Sequence, residues 1–481
     1  MSTPVAPPTT DRAAERRRAE AWRRQPAATP GRAHLGLVGL IAAVAVEWAG
    51  ATAILPILPL LLRHRGVPVA LVGVVMAAFL GAGFLAQYPL GRLADRIGRR
   101  RLLQSSLWCY ALATLGFVLG GPVVLAIVFR ALQGAAAGGA DVAAQALVVD
   151  LVPARRHGRA YAMLAGAQMG GMVVGPIAGS LLAGISVNLV FFVGAGAAAA
   201  ASLVLRRALP AARRQPRAEV AAAWSPDWRI LRGVLAISAA GGLLLGVYEA
   251  DWTLLMHRRG ASGWEIGVSF ALYALPLVLL SWPAGWLADH WDRRWLSGTA
   301  LGAAAACAAL YPLLPSAALL IALSAVEATL SAAGYPATLS LLARAVGPAA
   351  AGRGQGLYAS VQTGTAALGA AIGGVLFGAG VAVPFVASAV LALATVAVLP
   401  WLWRGTGPDR RPATIGTGSG SAAVPGATGG DAGMGTARSE PALRPPRPDG
   451  LGRTRGQGRL RRGPWGLPAR PDLPATPTPR P

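Results

Sequence analysis

The chain contains no lysine, two cysteines, five histidines and 20 acidic residues among its 481 positions. Each scarcity excludes something. Cys109 and Cys307 cannot build a disulfide scaffold, and each lies inside an apolar run with no reason to pair with the other. His34, His64, His157, His257 and His290 are scattered over loops and the ends of apolar runs, so no metal cluster is expected. Charged residues make up 13% of the chain and hydrophobic ones 54%, against roughly a quarter charged in an average soluble domain. A soluble fold is excluded by that balance. No nucleophile and base pair, and no phosphate-binding loop, stands outside the apolar pattern, which leaves an enzyme or a cofactor without support. Residues 1–34 are polar and arginine-rich and the first apolar run is too long for a signal core, so no cleavable leader is expected.

What is present is a series of twelve apolar runs, from Leu35–Leu62 through Trp264–Leu287 and Ala317–Leu342 to Val383–Leu402. Each is close to the ~20 residues that cross ~30 Å of hydrocarbon. An all-α membrane protein with twelve transmembrane helices follows. All 44 basic residues are arginine, and they fall on alternate loops: Arg12 to Arg32, Arg92 to Arg101, Arg155 to Arg159, Arg206 to Arg229, Arg293 and Arg294, Arg344, Arg353 and the C-terminal tail. The opposite loops keep only Arg63, Arg65, Arg258 and Arg259. Positive residues stay inside, so both termini are expected in the cytoplasm of a multi-pass protein of the cell membrane. The net charge of +24 then faces anionic lipid, and without interleaved aromatics it gives no nucleic-acid site. Residues 1–34 form a basic tail with a short helix expected at 10–24. Residues 206–229, polar and rich in Pro and Arg, read as a cytoplasmic linker. Residues 404–481 are dominated by Pro, Gly, Ala and Arg and are expected to be disordered.

An internal repeat constrains the architecture further. A shift of 194 residues lays Gly66 on Gly260, Gly73 on Gly267, Pro89 on Pro283, Asp95 on Asp289 and Arg99 on Arg293, with 13 of the 37 positions from Gly66 to Leu102 identical. The same shift pairs Gly158–Arg159 with Gly352–Arg353, Gln168 with Gln362, Gly175 with Gly369 and Gly179 with Gly373. Two homologous six-helix halves, 35–205 and 230–403, are therefore expected, with a substrate site between them near the bilayer midplane.

Four motifs carry a resemblance to the major facilitator superfamily of transporters. The loop Gly91-Arg-Leu-Ala-Asp95-Arg96-Ile-Gly98-Arg99-Arg100-Arg101 resembles that superfamily's signature loop, in which Gly91 would allow a close turn and the charges would latch the halves. Asp150, at the inner end of the fourth run, is placed to pair with the loop arginines. The second copy, Gly285-Trp-Leu-Ala-Asp289-His290-Trp-Asp292-Arg293-Arg294, departs by carrying Asp292 where the first has Gly98. Glu47-x-x-Gly50-x5-Pro56-x-x-Pro59 resembles the acidic first helix of tetracycline-type pumps, and Arg130-x-x-Gln133-Gly134-x-x-x-Gly138 the superfamily's intramembrane arginine motif. Gly171-x-x-x-Gly175-Pro176-x-x-Gly179 resembles the fifth-helix motif of antiporters; by spacing alone it is a small-residue stripe that lets another helix approach closely. The resemblance implies the major facilitator fold and proton-coupled efflux of small amphipathic or cationic compounds by a monomer. Proton-coupled uptake of a sugar or organic acid uses the same fold and stays open.

Charges inside apolar runs are functional candidates because each is costly unless it is paired or faces water. Glu47, Arg130, Asp141 and Glu327 lie well inside predicted spans, with Glu249 and Asp251 nearer the outer end of the seventh. Glu47 is the expected proton carrier, and Arg130, eleven residues before Asp141 on one helix, is expected to find Glu47 or a substrate anion as its partner. Gln133, which the repeat aligns with Glu327, completes the set.

Overall fold

The computed structural model describes residues 30–152, 156–209, 224–347 and 350–406. The expected helix at 10–24, the middle of the linker and the tail from residue 407 lie outside the described residues. In chain order the helices are α1 (Pro30–Ala53), α2 (Leu58–His64), α3 (Val69–Ile97), α4 (Arg99–Leu119), α5 (Val123–Leu151), α6 (His157–Ile185) and α7 (Val187–Ala208) in the first half. The second half contains α8 (Trp228–Arg258), α9 (Gly263–Leu279), α10 (Ser281–His290), α11 (Arg293–Leu310), α12 (Ala317–Ser331), α13 (Gly334–Val346), α14 (Ala351–Ala379) and α15 (Val383–Leu402). Among the described residues eleven spans are long and apolar enough to cross a membrane, and α9 with α10 makes a twelfth if this pair, bent by 54°, is counted as one span.

Three runs expected as single helices are broken in two, and each break falls beside proline. The first span turns over residues 54–57, with Pro56 inside the turn and Pro59 at the start of α2. The eighth bends between Pro276 and Pro283, which remove backbone donors on either side of the break. The tenth breaks at Ala332 and Ala333, and Pro336 stands in the first turn of α13, where a missing donor is tolerated.

Glycine sets the distances between helices. Gly171, Gly175 and Gly179 turn toward α1, where a Cβ on Gly171 would stand 2.7 Å from Trp48 Cβ and one on Gly179 would overlap the Ala53 carbonyl oxygen. Thr52 Oγ1 donates across this contact to the Gly171 carbonyl at 3.1 Å. Gly369 repeats the arrangement in the second half, its α-carbon face lying against the backbone of Leu243 in α8. Each half has its own apolar core, one built around Leu103, Leu147 and Leu205, the other around Leu231, Leu341 and Leu399.

The face where α1 begins and α15 ends is called the tail face, and its opposite the far face. The halves meet toward the far face. A Cβ on Gly73 of α3 would stand 2.8 Å from Gly374 Cα of α14, one on Gly267 of α9 would stand 2.7 Å from the Pro176 carbonyl of α6, and Thr253 Oγ1 of α8 donates to the Leu55 carbonyl at 3.2 Å. Ile54, Leu58, Val72 and Met76 of the first half share one apolar cluster there with Ala250 and Ala370 of the second.

Candidate functional site

The signature loops sit on the tail face and differ from expectation in one respect. Gly91 is inside α3, facing Val142, and the turn falls at Gly98, whose φ of +97° suits a residue without a side chain. Gly285 likewise lies inside α10. Arg99 then donates to Asp150 at 2.6 Å and to the Ala146 carbonyl at 2.9 Å, while Arg100 donates to the Arg206 carbonyl. In the second copy Asp292 caps α11 by accepting from the Arg294 backbone at 2.9 Å, which explains an acid where the first copy has glycine. Arg293 meets Asp289 at 3.4 Å and Arg294 donates to Thr406 Oγ1 at 2.7 Å. Each of these contacts stays within its own half. Asp95 and Arg96 lie on the exposed face of the last turns of α3.

Between the halves, on the tail side of the far-face seam, lies a cavity walled by Thr52, Met172 and Pro176 from the first half and by Tyr248, Glu249, Trp252, Tyr273 and Tyr311 from the second. Arg130 is buried to 1% exposure. Its guanidinium lies over the Phe79 ring, 4.3 Å from the centroid, and Nη1 donates to Gln133 Oε1 at 3.1 Å; Gln133 passes the chain on to Thr114 Oγ1 at 2.8 Å. The carboxylate that acts on Arg130 belongs to Glu249, across the interface. Among the described residues Arg130 makes no hydrogen bond to Glu47, which the sequence offered as a partner beside a substrate anion. The charge that acts on Glu47 is Asp141, a second acid, which accepts from Trp48 Nε1 at 3.3 Å and Gln168 Nε2 at 3.1 Å. Two buried acids that feel each other's charge disfavour being ionised together.

The second half builds a different arrangement. Glu327 is fully buried and accepts hydroxyl donors from Tyr248 at 3.3 Å and from Tyr311, with Tyr273 close by. Trp252 stands edge-on to Tyr311 with centroids 4.8 Å apart and donates to Ser269 Oγ at 2.9 Å. These rings form the cavity wall with the acid behind them. Asp251, two residues from Glu249, points away from the cavity into the packing of α8 against α14. The sequence reading therefore found the charges but not the aromatic groups that hold them. Tyr248, Tyr273 and Tyr311 come from three different spans, and only a contact map could have joined them.

The sequence profile described as Major Facilitator Superfamily matches residues 40–256 and 250–448. The chain belongs to the Major Facilitator Superfamily. It is 31% identical over 252 residues to an uncharacterised transporter of this superfamily from Mycobacterium tuberculosis, covering 51% of this chain and 35% of the relative. It is 26% identical over 268 residues to the tetracycline resistance protein, class H, of Pasteurella multocida, covering 50% of this chain and 64% of that one. The matches thus span from about a third to just under two thirds of the length of these curated relatives. Among solved structures, a bacterial homologue of the human lysosomal transporter Spinster, in an inward-facing and occupied conformation, superposes with a TM-score of 0.66 at 17% identity, over 78% of this chain and 98% of the other. As a superfamily member the protein has the major facilitator fold, a multi-pass all-α membrane protein in two homologous halves, with eleven candidate membrane spans among the described residues, or twelve with the bent pair counted as one.

Proposed function

We propose that this superfamily member exports small amphipathic or cationic compounds in exchange for protons. The observation that carries the reading is the cavity between the halves, apolar and aromatic on its walls, with Glu249 on its surface and Glu327 directly behind its tyrosines. A cation with an apolar body finds ring faces and negative charge there together. With the tail face cytoplasmic, as the arginine distribution argues, the closed far face corresponds to an inward-facing state that loads substrate from inside.

Glu47 carries the coupling proton in this scheme, and Asp141 shares its site. When the cavity faces outward, water reaches the pair and one acid takes a proton; when it faces inward, a bound cation favours the ionised form and the proton leaves. Exchange follows because substrate and proton are not held together. The signature loops latch the halves in the outward-facing state, and in the present state Arg99 is held by Asp150 of its own half. Glu47→Gln fixes the neutral form. It should abolish proton-driven movement of ethidium in inside-out vesicles while leaving folded protein that still binds ethidium. Proton-driven movement at the wild-type rate would overturn the assignment.

A further inference from the structure

Asp251 belongs to no part of the cavity, yet it is an acid enclosed by apolar packing. It follows Glu249 by two residues and so projects about 200° away around α8. Its side chain is 0% exposed, and neither carboxylate oxygen has a hydrogen-bond partner. From α14 it faces Gly373, where a Cβ would stand 2.6 Å from Oδ2, and from its own helix it is flanked by Val247. The first half brings Ile54 and Leu58 from the first span and Val72 and Met76 from α3, all apolar, against the neighbouring Ala250. No charged group among the described residues acts on Asp251, and the arginine two turns further along α8, Arg258, is stacked over Phe377 at 5.1 Å.

This acid stands beside the seam that closes the far face, on its second-half side. Thr253, two residues on, donates to the Leu55 carbonyl of the first half, and Gly374, next to Gly373, meets Gly73 of α3 with a would-be Cβ 2.7 Å from Gly73 Cα. An ionised carboxylate without donor or counter-ion is strongly disfavoured in such a place. The seam closes over the neutral acid. Separation of α3 from α14 admits water and lets the proton leave.

We propose that Asp251 is a proton-binding site separate from the substrate cavity, filled while the far face is closed and emptied when it opens. The proposal rests on the proton-coupled reading above and adds a second proton site to it. Without a substrate cation the Glu47 site keeps its proton in both states, so the closed state holds one proton more than the open one, on Asp251, and raising the pH favours opening, by up to about tenfold per pH unit for one linked proton.

The test uses the full chain in lipid nanodiscs with Cys109 and Cys307 replaced by serine and spin labels at His64 of α2 and Ala379 of α14, both exposed on the far face. Pulsed electron resonance reads the fraction of open molecules from pH 5 to 9. The wild type should open with rising pH, and Asp251→Asn, or Asp251→Ser if the first does not accumulate, should flatten the profile while ethidium binding is kept. Glu47→Gln should keep the slope although it loses proton-driven transport. A flat wild-type profile, an unchanged slope in either Asp251 variant, loss of the slope in Glu47→Gln, or opening that follows sodium in place of pH would each overturn the site. Proton-driven transport is scored separately in vesicles, so its absence in the wild type would count against the coupling reading, whereas its presence with a flat opening profile would count against Asp251 alone.

Discussion

One register of the repeat places Gln133 on Glu327, Phe79 on Tyr273 and Arg130 on Ser324, and the two halves use these positions in opposite ways. In the first half a guanidinium lies over the Phe79 ring and is tied to Gln133. In the second the cation is gone, the ring at the Phe79 position has gained a hydroxyl, and that tyrosine stands near an acid at the Gln133 position. The first half thus buries a cation at these positions and the second an acid, although the helices that hold them are copies. Duplication fixed where the side chains stand, and a few substitutions decided what they do.

Breaking the first-half side should have the larger effect. Arg130→Ala removes the cation, leaves the Gln133 carbonyl oxygen without its donor, and deprives Glu249 of the charge opposite it; transport of ethidium in vesicles should fall at least a hundredfold, with protein still in the membrane by immunoblot. Near-normal transport would mean that the contact to Gln133 is only packing. On the other side, Glu327→Gln keeps the shape and removes the charge. Affinity for ethidium, read by fluorescence titration, should weaken about ten- to a hundredfold, the loss of one buried charge-assisted interaction of roughly 1.5–3 kcal/mol. A neutral compound of similar size should bind unchanged, and an equal loss for both would assign Glu327 to structure.

A smaller contrast separates the two loops. Asp95→Asn, in the loop with the Gly98 turn, should lower turnover several-fold at equal protein level, whereas Asp289→Asn removes a half-exposed pair of the kind worth about 0–1 kcal/mol and should change it little. Equal effects would argue that the loops act only through topology. The smallest effect is expected from the tail: a chain ending at residue 406 should insert and transport almost as the full protein does, and failure to insert would contradict that.

The architecture was legible because it is written in periodicity and charge. The 194-residue register set Gln133 beside Glu327, and the arginine alternation told the two faces apart. The breaks near Pro56, between Pro276 and Pro283, and before Pro336 were missed because hydropathy averages across a change of helix direction. Gly91 was assigned the turn that belongs to Gly98, since a glycine pattern does not say which glycine adopts positive φ and which faces a neighbour such as Val142. Within the site, the charges stood out against an apolar background, but their partners did not. Trp48 and Gln168 converge on Asp141 from α1 and α6, and three tyrosines converge on Glu327 from α8, α9 and the turn after α11. Convergence of that kind depends on helix rotation, which local sequence does not encode. One distinction was available and unused: Glu249 and Asp251 are two residues apart on a helix and cannot face the same space.

The most direct test of exchange across this asymmetric cavity is the direction of coupled flow. Protein reconstituted into proteoliposomes is given a pH gradient with the lumen acidic and ethidium in the medium, and accumulation is followed by fluorescence. For molecules whose tail face is outside, exchange predicts that protons leaving the lumen drive ethidium inward, and that collapsing the gradient with an uncoupler releases it. Ethidium that moves in the same direction as protons, or equilibrates at a rate indifferent to the gradient, would contradict the account.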